Sequence, residues 1–321
     1  MTDEEKTPLT FLEVARKHQK GTAPFGKLVA PPPRSLESSF RLEMNLGCEL
    51  PVCVANRSEV DNEAIEIDSD NGSKWRLVRT AGSKLPSPEH YQYWLWVLDR
   101  WQAAFEQGEL DPPRIVLNPS EIFDLVGAPK GGNQYRYLDE AFTRFSRLVI
   151  TAHSLFFDKD GKTKIVGNGN FGTLCHYVSW RVKPEPGQRT MEFANGWIAP
   201  GPLLWSSIQA GYTKSIPLKP LKELSYVGQR LYTYLSKHCQ PDGEFSISVK
   251  KLMPKIPIRL DPRKIVSMLE KHHADLAKVG FLKDVVFEGR GKDRIIRYHR
   301  SPALLRASNA TIDMPALKSG K

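Results

Sequence analysis

The chain has 321 residues, of which 40% are hydrophobic and 10% aromatic, so most of it can bury a core. No apolar run approaches the ~18 residues of a membrane span and the first ten residues are acidic and polar, so we expect a cytoplasmic protein without a signal peptide. The formal net charge of +10 is concentrated, because residues 214–300 hold 19 basic and 9 acidic residues and the rest of the chain is balanced. A basic region joined to a neutral one indicates a polyanionic partner, most often nucleic acid.

The amino-terminal part of the chain reads as a tail followed by short strands. Residues 1–40 are expected to be a disordered or partner-binding tail, since Pro31 to Pro33 favour an extended linker. Strands are predicted between residues 41 and 80, at EAIEI and KWRLVRT.

A strong helix is predicted next, with Ser87 as its N-cap and Pro88 at its first position. Its aromatic residues recur at helical spacing, which favours a core role over a stacking surface. The segments that follow predict a short strand, a short helix, a second helix that runs into a strand, and a hairpin about a tight turn: DPPRIVLN, PSEIFDLVG, QYRYLDEAFTRFSRLVI and SLFFDKDGKTKIV.

The carboxyl-terminal third repeats this order without repeating the residues. Its last predicted helix has Asp261 as cap, Pro262 at the first position and Gly280 as stop, and a hairpin about GRGKD follows it. Helix, short strand, helix, helix and hairpin is the order of a winged helix. The predicted fold class is therefore α+β, with two tandem winged-helix domains and flexible tails. We predict the first domain at 41–212, a basic second domain at 213–300 that is the main DNA-binding unit, and a tail at 301–321.

The last helix and its hairpin carry the strongest DNA-binding candidates. A buried stripe is expected at Ile265, Met268, Leu269, His272, Leu276 and Val279. The opposite face offers groups suited to base edges and phosphates in the major groove: Arg263, Lys264, Ser267 and Lys271. The hairpin about GRGKD is the predicted wing of this domain, and it adds predicted phosphate contacts: Arg290, Lys292, Arg294 and Arg297.

The corresponding helix of the first half is a weaker candidate. Its expected core residues are Tyr135, Leu138, Phe142 and Phe145. Its expected exposed residues are Asn133, Gln134, Arg136, Tyr137 and Arg144, and the DNA-binding candidates are the first three of these. Because acidic residues lie close by and this half is not basic overall, it binds DNA weakly or binds protein instead.

Residues 167–172, GNGNFG, match the glycine pattern of a nucleotide-binding loop. A strand-like segment follows where a phosphate cradle requires a helix, so we predict a strained hairpin or bulge region. No P-loop or spaced set of metal ligands is present, and the adjacent pairs Cys175–His176, His238–Cys239 and His272–His273 lack ligand spacing. The expectation is a protein that is not an enzyme and uses no metal or cofactor.

The chain resembles the RepA-type plasmid replication initiators, the replication initiator protein A family. The segments that carry the resemblance are GSKLPSPEHYQYWLWVL, PSEIFDLVGAPKGGNQYRYLDEAFTRFSRLVI and, most specifically, SIQAGYTKSI followed by GQRLYTYL. It covers about residues 70–300. Gly228 departs from the small or apolar residue expected in that helix of the second domain.

The resemblance implies tandem winged helices that bind repeated double-stranded sites at an origin, promote its opening and recruit host replication proteins such as a helicase or initiator, with a possible homodimer. Three alternatives remain open: a winged-helix transcription regulator, a protein–protein interaction module, and an enzyme that uses GNGNFG.

Overall fold

The computed structural model describes residues 26, 28–30, 39–68, 74–153, 156–157, 164–165, 168–182, 192–211, 213–258, 262–290 and 293–302. Most of the two predicted tails falls outside these ranges. The described chain is a mixed α+β structure, as predicted, and no helix in these ranges is long and apolar enough to cross a membrane.

The first described elements are four strands. These are β1 (Leu28–Val29), β2 (Ser39–Glu43), β3 (Ala64–Asp68) and β4 (Lys74–Arg79). One turn of π-helix, Met44–Glu49, follows β2. The Glu43 carboxylate stabilises its start by accepting hydrogen bonds from the N–H groups of Asn45 and Leu46, at 2.9 and 2.5 Å.

The central helix is α1 (Tyr91–Glu106), and a 3-10 turn formed by Pro88–His90 leads into it. Ser87 and His90 form a capping box before the helix, which confirms the predicted start. The helix is buried on nearly all sides, and the indole rings of Trp94 and Trp101 lie edge to face with their centroids 5.9 Å apart. Its aromatic residues therefore build the core, as predicted.

After α1 come two helices and a long run of strands. The helices follow the first strand of the run: β5 (Arg114–Val116), α2 (Pro119–Val126) and α3 (Gly132–Ser146). The remaining strands are β6 (Leu148–His153), β7 (Phe156–Phe157), β8 (Lys164–Ile165), β9 (Asn168–Thr173), β10 (Cys175–Val182) and β11 (Glu192–Pro200). Four of these strands complete two four-stranded sheets, ordered β1-β5-β11-β10 and β3-β4-β6-β9, and β7 and β8 form a separate two-stranded sheet among the described strands.

The strand pairing around β5 differs from the pairing that we expected for the first predicted wing. β7 pairs with β8, but the DKDG turn predicted between them lies outside the described residues, and neither strand joins β5 in the described sheets. The hairpin that pairs with β5 is β10–β11, through Ile115 and Ile198. The hairpin predicted as the first wing therefore lies apart from β5, while β6 and β9 extend the sheet of β3 and β4.

The GNGNFG segment is a strand and not a phosphate cradle in its described part. Residues 168–172 lie in β9, whose pairing with β6 shifts register between Val149 and Thr151, and β10 follows instead of a helix. Gly172 has a φ of 84°, which favours glycine. The predicted bulge region is confirmed.

The first half ends with α4 (Pro202–Gln209), and the described residues after it form the second half. The elements of the second half are β12 (Thr213–Pro217), α5 (Leu218–Glu223), α6 (Tyr226–His238), β13 (Glu244–Ser248), α7 (Val249–Leu252), α8 (Pro262–Lys278), β14 (Leu282–Glu288) and β15 (Ile295–Arg300). A 3-10 turn, Met253–Lys255, follows α7. The last three strands form one antiparallel sheet with β15 in the middle. The predicted order of helices and strands is confirmed here.

The two halves are joined by pairing and by buried polar contacts. β12 pairs antiparallel with β2, so residues after 212 complete a sheet of the first half. From α6, the buried guanidinium of Arg230 donates to the carbonyl of Gly47 at 3.3 Å and to that of Lys255 at 2.9 Å. Helix α6 therefore packs against the π-helical turn of the first half.

Candidate nucleic-acid interface

Helix α8 buries one face against the last sheet. Ile265, Leu269 and Leu276 are fully buried, and Met268 and Val279 pack at the margin, as predicted. His272 is buried with them, and so is His273, whose Nε2 lies 3.1 Å from the Tyr298 hydroxyl. Burial lowers the pKa of His273 to about 3, so this residue is neutral and structural at physiological pH.

The opposite face of α8 is exposed and basic. Lys264, Ser267, Lys271 and Lys278 are all exposed. With 100° per residue, these four positions fall within about 60° of one another around the helix axis. The helix therefore presents three ammonium groups and a hydroxyl along one line, and all of these groups can donate to phosphate or base acceptors.

Three of the predicted residues are only partly described or lie outside the described ranges. The backbone of Arg263 lies in the first turn of α8, next to Pro262, which occupies the predicted first position. Lys292 and the predicted cap Asp261 lie outside the described residues.

The hairpin β14–β15 extends beside α8 and carries two arginines near its tip. Arg290 is exposed just after the end of β14. Arg294 donates from Nε to the carbonyl of Gly289 at 3.2 Å, so its guanidinium is held at the base of the turn. The tip therefore presents cationic groups, as predicted, and their contact with phosphates stays a prediction.

Arg297 is in a different setting from the other wing residues. It lies on β15, in the middle of the sheet, and forms ion pairs with Glu244 on β13 and Glu288 on β14. Its side chain is 38% exposed. Because two carboxylates already offset its charge, the Arg297 guanidinium attracts a phosphate less strongly than that of Arg290 does.

Helix α3 of the first half presents a smaller polar surface. Asn133, Arg136 and Tyr137 are exposed, and Gln134 is half-buried. The guanidinium of Arg136 lies 5.8 Å from the centroid of the Tyr137 ring. These positions stay candidates for DNA contact.

Arg144 does not belong to that surface, which corrects the prediction that it is exposed. Its side chain is 13% exposed, donates to the carbonyl of Leu85 at 2.9 Å and forms an ion pair with Glu140. Asp139 is also engaged, because its Oδ1 accepts hydrogen bonds from the Tyr177 and Ser179 hydroxyls at 2.7 and 2.9 Å. The acidic groups near α3 are thus occupied by neighbours, so they oppose DNA less than the sequence suggested.

Sequence reasoning missed two cationic residues on the short helix before α8. Lys250 and Lys251 on α7 are exposed, and Ser248 caps that helix by accepting from the Lys251 N–H at 3.3 Å. The basic pair at the start of a short helix was the available signal. No group of three or more His, Cys, Asp or Glu side chains in the described ranges is arranged to hold a metal ion.

No protein-family model matches this chain, and no curated protein does either. Among solved structures it is similar to domains 2 and 3 of RctB, with 13% identity and a TM-score of 0.52, covering 80% of this chain and 98% of that one. A second structure of RctB domains 2–3, residues 155–483, aligns with 11% identity and a TM-score of 0.48, covering 79% of this chain and 96% of that one. The chain therefore shares the fold of these two domains.

Proposed function

We propose that this protein binds double-stranded DNA sequence-specifically, as a non-catalytic initiator that acts at repeated sites of a plasmid replication origin in the cytoplasm. The observation that carries the proposal is the exposed face of α8, on which Lys264, Ser267 and Lys271 lie. The opposite face of the helix is buried in the core. A helix held in this way can enter a major groove without losing its support.

Each half supports assignment as a winged helix. In the second half, β13, α7, α8 and the β14–β15 hairpin follow α6 in the required order. In the first half, α1, β5, α2 and α3 are followed by the β10–β11 hairpin, with β6 to β9 inserted before it. Both hairpins place their last strand against the strand that follows the first helix of the unit. We propose that the second unit supplies most of the affinity and that α3 adds weaker contacts.

The fold shared with RctB domains 2 and 3 and the sequence resemblance to RepA-type initiators support the same function by separate routes. On this proposal, repeated origin sites, host replication proteins such as a helicase or initiator, and a second copy of the chain are the partners. The charge distribution adds support, because the excess of ten positive charges lies entirely in residues 214–300.

The test is selection of bound fragments from the source DNA, followed by affinity measurements at several salt concentrations. Recovery of a short, directly repeated site with a steep dependence on salt is the expected result. A cloned fragment that replicates only when this protein is supplied would separate an initiator from a transcription regulator. Diffuse binding without a preferred sequence would contradict the proposal.

A further inference from the structure

A cleft of about 480 Å³ lies where the first half of the chain meets the α7 region. One wall comes from residues 54–66 and includes part of β3, and the other comes from residues 250–258. Sites that hold ligands typically measure about 300–1,000 Å³, so this cleft is large enough to receive a few residues of another chain. It does not include the predicted DNA-binding residues.

The floor of the cleft is the edge of a sheet. Among the described strands, β3 is the outermost of β3-β4-β6-β9. Ala64, Ile65 and Glu66 all line the cleft, although successive side chains of a strand point to opposite faces. Three consecutive residues can line one cleft only where it runs along the edge of the strand.

The hydrogen-bonding groups at this edge point into the cleft. The Arg79 N–H donates to the Glu63 carbonyl at 3.1 Å, and Ile65 lies opposite Leu77 in the same ladder. Bonded and non-bonded pairs alternate in an antiparallel ladder, so Glu63 and Ile65 bond to β4. The N–H and carbonyl groups of Ala64 and Glu66 therefore face away from β4, toward the cleft.

The charge of the cleft differs from that of the rest of the protein. Residues 59–68 contain five acidic and no basic residues, in a chain whose net charge is +10. Arg76 offsets part of this charge through ion pairs with Glu63 and Glu66, and Lys84 pairs with Asp61. The Glu59 carboxylate, at the end of the cleft, accepts a hydrogen bond from the neutral Asn56 amide at 3.3 Å. The facing wall is mainly apolar, with Met253, Pro254, Pro257 and Ile258, although it also carries the cationic side chain of Lys250. The acidic wall along β3 and the apolar wall opposite it together suit a basic, partly apolar polypeptide.

We propose that the cleft binds an extended segment of a partner protein in which basic and apolar side chains alternate, as an added strand on β3. Main-chain groups of the segment bond to Ala64 and Glu66, which gives affinity to many sequences. Its basic side chains lie near Glu59 and Glu66, and its apolar side chains, which point the opposite way, pack on the wall formed by Met253 and Ile258. The cleft shares Lys250 with the candidate nucleic-acid interface and none of the DNA-binding residues predicted from the sequence.

The probe is a fluorescent ten-residue peptide of alternating lysine and valine, titrated into the full chain and followed by anisotropy. Ala64→Pro removes an N–H that faces the cleft, at an edge position where proline is tolerated, and Glu66→Lys reverses the charge. Each is expected to weaken binding roughly tenfold, and so is N-methylation of alternate peptide amides. Glu223→Lys is the matched control, since it makes the same charge change at an exposed residue that does not line the cleft, and it should leave affinity within about twofold.

Four results would overturn the proposal. The first is no binding of the peptide at about 1 mM, which marks negligible affinity, and the second is binding that is indifferent to Ala64→Pro and to N-methylation. The third is binding that requires prior removal of residues 2–25, and the fourth is a change of oligomeric state in Ala64→Pro. The second would mean charge attraction without strand pairing, the third that the chain's own amino-terminal segment occupies the cleft, and the fourth that a second copy does. An unchanged thermal midpoint and DNA affinity in both variants show that the fold is intact.

Discussion

The guanidinium of Arg230 lies over the ring of Tyr91, with Cζ 5.3 Å from the ring centroid, and donates a hydrogen bond to its hydroxyl at 3.0 Å. Tyr91 opens α1 in the first half, and Arg230 lies on α6 in the second. The Tyr91 hydroxyl also contacts Thr233 Oγ1 at 2.9 Å. Both side chains are fully buried. No carboxylate in the described ranges pairs with Arg230, and carbonyl dipoles and an aromatic face stabilise its charge where the halves meet.

Replacing Arg230 with methionine should lower the free energy of unfolding by about 3 kcal/mol, because buried carbonyls lose their donors. Urea denaturation followed by fluorescence checks this, and the single transition should separate into two as the halves uncouple. Arg300→Met is the control, since Arg300 is also buried but bonds to Cys239 within the second half. An unchanged midpoint in Arg230→Met would show that the joint does not depend on this residue.

Glu49 should make stability depend on pH in the acid range. Burial raises the pKa of its carboxyl, but the hydrogen bond from His238 and the charges of Lys237 and Lys255 outweigh burial and hold that pKa well below its usual range. The stabilisation is therefore complete above the unfolded pKa of about 4.3 and is lost as the pH falls toward the folded value. Glu49→Gln should be less stable than the natural chain at pH 7, with a difference that narrows below about pH 4.5. A constant difference between pH 7 and pH 3 would contradict this assignment.

Gly201→Ala should destabilise the protein strongly. A Cβ at this position would lie 2.1 Å from the Thr173 carbonyl oxygen, which is backbone and cannot rotate away. Overpacking of this kind costs about 3 kcal/mol or more. Gly132→Ala, where no atom lies within 4 Å of the added Cβ, should change stability by less than about 1 kcal/mol. Equal midpoints of thermal unfolding for the two variants would be inconsistent with this packing.

The double variant Lys264→Ala, Lys271→Ala should weaken specific DNA binding by several kcal/mol at most, since each good contact contributes about 1–3 kcal/mol. The slope of log affinity against log salt should also fall by roughly 0.9 for each lost phosphate contact. Lys219→Ala, an exposed lysine on α5, is the matched control. Unchanged affinity in the double variant would remove α8 from the DNA interface.

Local signals in the sequence predicted the helices well. Ser87 and Pro88 marked the start of the central helix, and Pro262 and Gly280 bounded α8, because caps and stops depend on neighbouring residues alone. The exposed face of α8 could be predicted for the same reason, since one helical period fixes which residues share a side.

Relationships between distant parts of the chain could not be predicted in this way. The hairpin that pairs with β5 could not be identified, because no local pattern distinguishes β7–β8 from β10–β11 as the partner of β5. Burial of Arg230 and engagement of Arg144 depend on carbonyls supplied by Gly47 and Leu85, which are far away in sequence. The sequence therefore predicted an exposed Arg144, although tertiary contacts enclose its side chain.

The pairing of β2 with β12 has a consequence for how the protein is made. Phe40 and Ile216, which face each other across these strands, are 176 residues apart in the chain. At roughly 5–20 residues per second, a ribosome needs roughly 9–35 s between the two. During that interval β2 has no partner strand, and the apolar surface that it later covers is open to solvent. The first half therefore completes its fold only when synthesis has passed into the second half, and until then β2 is an unpaired strand with which other growing chains can associate.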